Sequence, residues 1–194
     1  MNSPDRRVQR TRKSLQDALR QLFNEKGYDA ITVQDILDRA NVGRATFYAH
    51  YQNKEDLFLA HHQEFNEALG LRRWTSEQLL APDPPERLIT FLDLLNQNRS
   101  TYHVIANSRD ANRIWRAMKA FIVANLADSL RSAFGDVTPH IPLDALTEYI
   151  ASAQLGLIGW WMEQRIPYTP QRMGEILHQL QRGAIQDAFD SAER

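Results

Sequence analysis

Thr32–Leu57, TVQDILDRANVGRATFYAHYQNKEDL, is the stretch whose reading decides the fold. Thr32 can accept a backbone N–H from the first turn of a helix, and Val33, Ile36 and Leu37 then recur at helical spacing. Asn41 and Gly43 break that pattern, with Val42 between them to plug the corner. A second short helix follows, in which Phe47 and Tyr51 lie one turn apart and can both point inward. Arg44, Ala45, Thr46, Tyr48 and His50 are left on its outward side, with no acid among them. Two short helices joined by a tight turn, the second presenting small, hydroxyl and basic groups, is the pattern of a helix-turn-helix that reads DNA.

Upstream, Leu15, Ala18, Leu19, Leu22 and Phe23 form the stripe of a helix from about Arg10 to Lys26, and Gly27 stands where a helix-ending glycine is expected. Residues 1–9 carry Pro4 and no apolar pattern, so they are expected to be frayed. Downstream, Asn53 can cap a fourth helix, from about Lys54 to Arg73, with Glu55 and Asp56 in its first turn. The run Thr32-Val33-x-x-Ile36, the corner Ala40-Asn41-Val42, Gly43-Arg44-Ala45-Thr46-Phe47-Tyr48-x-x-Tyr51 and Asn53-Lys54-Glu55-Asp56-Leu57 resemble the DNA-binding head of TetR-type transcriptional regulators. The resemblance covers about fifty residues, Arg10 to His61; Tyr51 stands where phenylalanine is more usual, which keeps an aromatic plug.

The remaining two thirds read as helices throughout. Ala81-Pro82-Asp83-Pro84-Pro85 is the clearest breaker, and a helix should restart at Pro85 or Glu86 with Leu88, Phe91, Leu92 and Leu95 on its face. A short helix at Thr101–Asn107 and a long one bearing Ile114, Trp115, Met118, Phe121, Ile122, Leu126 and Leu130 follow. Leu143–Arg165 is apolar on two sides, which implies burial on two sides. After Pro167–Pro170, a last helix carries Met173, Ile176, Leu177, Leu180, Ala184, Ala188 and Phe189 at three-and-four spacing. Gly159-Trp160-Trp161-Met162-Glu163 followed by Pro167-Tyr168-Thr169-Pro170 resembles one C-terminal subclass of the same regulators. The expected fold is all-α with about nine helices: a head at 8–68 and a ligand-sensing and dimerisation body at 69–194.

At 194 residues, 43% of them hydrophobic, the chain is long enough for one large or two modest cores. No apolar run approaches a membrane span, and the basic N-terminus is followed by no apolar segment, so neither a membrane partner nor a secretory signal is expected. A cytoplasmic location is the simplest expectation. With no cysteine there can be no disulfide or thiolate chemistry. The net charge of −1 hides an asymmetry: through Lys54 there are ten lysines and arginines against six acids, which leaves −5 on the rest. Arg6, Arg7, Arg10, Arg12 and Lys13 face only Asp5, a composition suited to holding phosphates with one end of the molecule, although a solvated tail has the same composition.

An enzyme is the first rival reading. His61-His62, Glu64 and His103 are the candidate metal or acid–base residues, but adjacent helical histidines point about 100° apart and no HExxH, phosphate loop or serine elbow occurs. No catalytic, metal or cofactor role is therefore assigned. In the head, Thr32 can both cap its helix and touch phosphate. Arg44 can pair with guanine O6 and N7 or bind phosphate, and Ala45 and Thr46 can meet thymine methyls. The resemblance implies phosphate contacts for Tyr48 and Lys54, and the place of His50 on the outward side of the second short helix puts it in the DNA-facing set.

The resemblance further implies a homodimeric repressor that binds a palindromic operator in double-stranded DNA and is released by a small molecule. An interface through the last two helices would use Gly156, Leu157, Gly159, Trp160, Ile176, Leu177, Leu180 and Ala184. The effector pocket would draw on His61, Phe65, Phe91, Leu95, Tyr102 and His103 together with Trp115, Met118, Phe121 and Ile122. So few charged groups on those faces suggest an uncharged or weakly polar effector. The second rival is a body that binds another protein instead of a small molecule.

Overall fold

The apolar stripes of the sequence become the cores of an all-helical chain. The computed structural model describes residues 3–68, 74–164 and 168–190, and among them ten helices are formed. Two compact units emerge: Met1–Phe65 with Ser100–Ile114, and Asn66–Arg99 with Trp115–Arg194.

In the first unit, α1 (Ser3–Lys26), α2 (Val33–Ala40), α3 (Arg44–Tyr48) and the start of α4 (Lys54–Ala68) surround a core of Leu15, Leu19, Leu22, Tyr28, Ile31, Ile36, Phe47 and Leu57. α1 begins at Ser3, seven residues before the expected start, so residues 3–9 are helical rather than frayed. The physical reason is that Arg and Gln are good helix formers even where no apolar stripe marks them. Gly27 ends α1 at φ +74, as its position suggested. The turn between α2 and α3 is made by Asn41, left-handed at φ 53, while Gly43 is extended at φ −69 and serves as the α3 N-cap. Asn41 tolerates that conformation better than most side chains, which leaves Gly43 free to stand in open space. α7 (Arg99–Ala106) and the start of α8 (Ala111–Phe134) also belong largely to this unit, although the sequence reading set residues 100–114 in the body.

The second unit is organised around α10 (Pro170–Phe189), which packs on α5 (Ser76–Leu80), α6 (Glu86–Gln97) and α9 (Leu143–Glu163). Leu79, Leu126, Leu130, Leu146, Ile150, Ile185 and Ala188 form its buried cluster, and Phe134 stacks on Phe189 with centroids 3.9 Å apart. α5 is the helix missing from the expected nine. Its signal is present in the sequence: Thr75 caps Gln78 N–H, and the Gln78 side chain accepts the Thr75 N–H in return.

Arg99 closes the far end of α9, donating to the carbonyls of Met162 (2.7 Å), Gln164 (3.1 Å) and Trp161 (3.2 Å), where regular helical bonding stops; the Trp161 oxygen also accepts the Gln164 N–H (3.3 Å). The two sides of α9 diverge here: Trp161 is fully buried and donates from Nε1 to the Tyr168 carbonyl, while Trp160 stays 46% exposed. The expected continuation of α4 to Arg73 lies outside the described residues, whereas α9 stops two residues short of the expected Arg165, with Gln164 extended at its C-terminal cap.

Candidate nucleic-acid interface

The frame of the head is set by ion pairs and caps between α1 and α2. Thr32 Oγ1 accepts the Asp35 N–H, and the Asp35 carboxylate accepts the Thr32 N–H (2.7 Å), the Thr32 hydroxyl (2.6 Å) and Lys26 Nζ (2.6 Å). Those bonds, Lys26 first, hold the Asp35 carboxyl well below the usual carboxylate range. Arg39 pairs with Glu25 through two bonds of 2.7 Å each, tying α2 to the end of α1.

On this frame α3 presents its outward side. Phe47 and Tyr51 are buried, and Tyr48 is 50% exposed with its ring edge-on to Phe47 at 5.3 Å. Arg44, Ala45 and Thr46 are exposed and His50 is half-buried. Arg44 is not free-swinging: its Nη2 donates to Gln34 Oε1 (2.9 Å), and Gln34 Nε2 donates to Asp38 (2.8 Å), so two residues of α2 aim a cation of α3. Gln34 was absent from the sequence-based site because a contact across the α2–α3 turn follows no helical spacing. Arg7, Val8 and Thr11 of α1 also were not assigned, yet they line one open groove together with Ala45, Thr46, Ala49 and His50.

Lys54 is held on the inner side of the head. Its Nζ donates to the Tyr28 carbonyl (2.9 Å) and sits 4.3 Å over the Tyr28 ring, a cation–π contact. An ammonium has three donors, so two remain for another acceptor. Asn53 caps α4 as expected, accepting the Asp56 N–H at 2.8 Å.

Beside Lys54 lies a cluster of ionisable groups. Glu55 is buried, accepts the Tyr28 hydroxyl (3.3 Å) and lies 3.9 Å from Arg113, which itself donates to Asp56 (3.1 Å). Burial, then the neighbouring Asp110, pushes the Glu55 carboxyl up from its ordinary value. A raised folded-state pKa means stability that is full below the unfolded pKa and lost as pH rises through the folded one. Glu55→Gln should therefore lose less thermal stability than the parent between pH 4 and pH 8. Melting curves across that range check it; a parent that gains stability with pH would mean Arg113 and Lys54 outweigh the burial.

The other sequence-assigned residues divide between the units. His61, Tyr102 and His103 lie in the first, His103 exposed and the other two half-buried, and the side chain of Phe65 lies outside the described residues. Phe91, Leu95, Trp115, Met118, Phe121 and Ile122 lie in the second, all half-buried. On α9 and α10, Tyr149, Ile150, Ala153, Gln154, Leu157, Leu177, Leu180 and Gln181 line a shallow apolar groove. Tyr149 is 66% and Leu180 63% exposed, and Gly156 is open, whereas Leu177 is buried and Ala184 packs on the buried cluster of the second unit. Gly159 and Ile176 are half-buried. Among the described residues no three His, Cys, Asp or Glu side chains are grouped to hold a metal ion, and no helix is long and apolar enough to cross a membrane.

Residues 15–61 match the model of the bacterial regulatory proteins of the tetR family, and residues 83–183 match that of a transcriptional regulator C-terminal region. An HTH-type transcriptional repressor of Mycobacterium tuberculosis is 27% identical over 175 residues, 86% of this chain and 88% of that protein. An uncharacterized HTH-type transcriptional regulator of Bacillus subtilis is 54% identical over 54 residues; the match takes in 27% of this chain and only 14% of that protein's length. A crystal structure of a TetR transcriptional regulator from Streptococcus agalactiae aligns with a TM-score of 0.54 at 26% identity, covering 91% of this chain and 96% of that one.

Proposed function

This chain belongs to the tetR family of bacterial regulatory proteins and is a helix-turn-helix regulator of transcription, and from that premise we propose that it is a homodimeric repressor whose two α3 helices read a palindromic operator. The observation that carries the reading is the outward side of α3: exposed Arg44, Ala45, Thr46 and Tyr48, free of acids, on a helix anchored by buried Phe47 and aimed through Gln34. Small residues permit close approach to base edges and the guanidinium supplies a forked donor. Repression is suggested by the mycobacterial relative, which is named a repressor and aligns along most of both chains.

Pairing through α9 and α10 is supported by the exposed Tyr149, Trp160 and Leu180 and the groove beside them. An effector is supported by the half-buried state of Phe91, Leu95, Trp115, Met118, Phe121 and Ile122, large apolar groups left outside the buried core of the second unit. Such walls suit an uncharged or weakly polar, aromatic effector. Release requires only that the effector bind the DNA-free state better; a coupling of about 1–3 kcal/mol lowers operator affinity roughly 5–150-fold.

The test begins with duplexes selected by the protein from a random library. Arg44→Ala should cost about 1–3 kcal/mol on the selected site and relax the preference at one base pair. Tyr48→Phe should weaken binding to all sequences alike and flatten the salt dependence. An unchanged selected motif with Arg44→Ala would make that residue a positioning group only. A screen of uncharged aromatic compounds, read by release of the selected duplex and repeated on Phe121→Ala, tests the effector; a protein captured in place of any compound would favour the protein-partner alternative.

A further inference from the structure

We propose that Arg87 and Asn125 form the polar end of the effector site in the second unit and hold the carboxylate of a small acid whose body is apolar. The inference rests on the effector reading and deepens it by naming the chemistry at one end of that site. Arg87 is half-buried on α6, one and two turns before Phe91 and Leu95, and Asn125 is half-buried on α8, one turn after Phe121 and Ile122. Each therefore ends one of the apolar stripes assigned to the effector. Trp74 links the two ends. The Arg87 guanidinium lies 3.9 Å over its ring, its N–H donates to Ser129 Oγ (2.9 Å), and Ser129 Oγ donates to the Asn125 carbonyl (2.7 Å).

What these ends lack is an acceptor. Arg87 Nε and Asn125 Nδ2 are shut off from solvent, and neither has a hydrogen-bond partner. Arg87 Nη2 donates to Gln78 Oε1 (2.6 Å), a neutral acceptor, and among the described residues no carboxylate pairs with the guanidinium. Burial pulls its pKa down, with no acid nearby to oppose the shift. A guanidinium stays charged in a protein, so burying it without a counter-charge is costly, and each orphaned N–H adds to the cost. A clamp between α5 and α6 needs only the Gln78 bond and the Trp74 stack, and it leaves both orphans unexplained. A carboxylate accounts for them together. It supplies the missing charge and two oxygens, matches the planar guanidinium, and leaves an apolar body to lie along Phe91 and Phe121. Apolar walls alone suit an uncharged compound; the Arg87 end adds an anionic head to it.

The experiment takes the full chain and a panel of phenylalkanoic and medium-chain alkanoic acids, each beside its primary amide and beside uncharged aromatic compounds. Melting shifts and release of a duplex selected by the wild-type protein are the readouts. At least one acid should bind, and its amide should bind roughly 10–150-fold more weakly, the range spanned by a hydrogen bond to a charged group. Arg87→Met, which keeps an apolar stem over Trp74, should lose the acid by a similar factor and still bind the selected duplex. Asn125→Asp brings a carboxylate of the chain's own to the same place, so it should block the acid while melting no lower than the wild type. An acid that binds Arg87→Met or Asn125→Asp as tightly as the wild type overturns the proposal, and so do amides that match their acids. Binding of the uncharged compounds with no acid bound overturns it as well and leaves the effector reading standing. Silence of acids, amides and uncharged compounds alike overturns the effector reading itself.

Discussion

Leu180→Arg should turn the protein into a stable monomer and weaken its binding to a two-half-site operator roughly 10²–10⁴-fold. Leu180 is 63% exposed in the protomer and borders the apolar groove between α9 and α10, so within one subunit the arginine reaches solvent at little cost. In a two-fold interface every residue is used twice, and the substitution places two guanidinium groups against apolar surface with no carboxylate among the groove's lining residues. Loss of the pair removes the effective concentration of the second head, which sets the size of the affinity change. Leu180 is a cleaner position than its neighbours. Leu177 is already buried and Ala184 packs against the buried cluster of the second unit, so a charge at either would damage the chain's own core. Sedimentation at micromolar concentration with a parallel thermal melt decides the matter: a variant that stays dimeric with an unchanged melt places the interface elsewhere.

The parts of this fold that were legible in the sequence are those written in local chemistry. Thr32 and Asn53 cap the helices they precede, Gly27 takes a left-handed conformation, and the proline cluster before Glu86 separates two helices, each because a few adjacent residues settle the backbone. The Thr75–Gln78 capping box is as local, and the helix it starts passed unread only because five residues carry too little apolar periodicity. The early start of α1 escaped for the opposite reason, propensity without a stripe.

What was not legible depends on contacts between distant residues. Nothing near Arg99 announces that it closes a helix ending sixty-odd residues later, at Glu163. Periodicity marks both Trp160 and Trp161 as apolar but cannot say which side of α9 meets the core. Within the site, the residue types on α3 were readable. The bond from Arg44 to Gln34, the seat of Lys54 on Tyr28 and the groove shared by α1 and α3 arise only once the turn at Asn41 fixes how the helices meet.

Phe47→Ala should abolish DNA binding by unseating α3, at a cost of about 3–5 kcal/mol to the head. A five-residue helix has no stability of its own, since nucleation is unfavourable and so short a helix gains few bonds in return. What holds α3 in place is the Phe47 ring, fully buried and in contact with Tyr51 at 5.8 Å between centroids and with Tyr48 at 5.3 Å. Removing it leaves a cavity beside Tyr51 and Tyr48 or lets α3 collapse inward, and either withdraws Arg44 from the reach set by Gln34. Phe47→Leu, which refills most of the volume, should recover much of the stability and part of the binding. Tyr48→Phe is the counter-test, because its hydroxyl sits on a half-exposed ring and its loss should weaken binding while leaving the melt of the head unchanged. Hydrogen exchange on residues 44–51, measured alongside operator affinity, separates the two. If Phe47→Ala exchanges as slowly as the parent yet fails to bind DNA, the ring acts at the interface itself and not as the anchor of the helix that bears it.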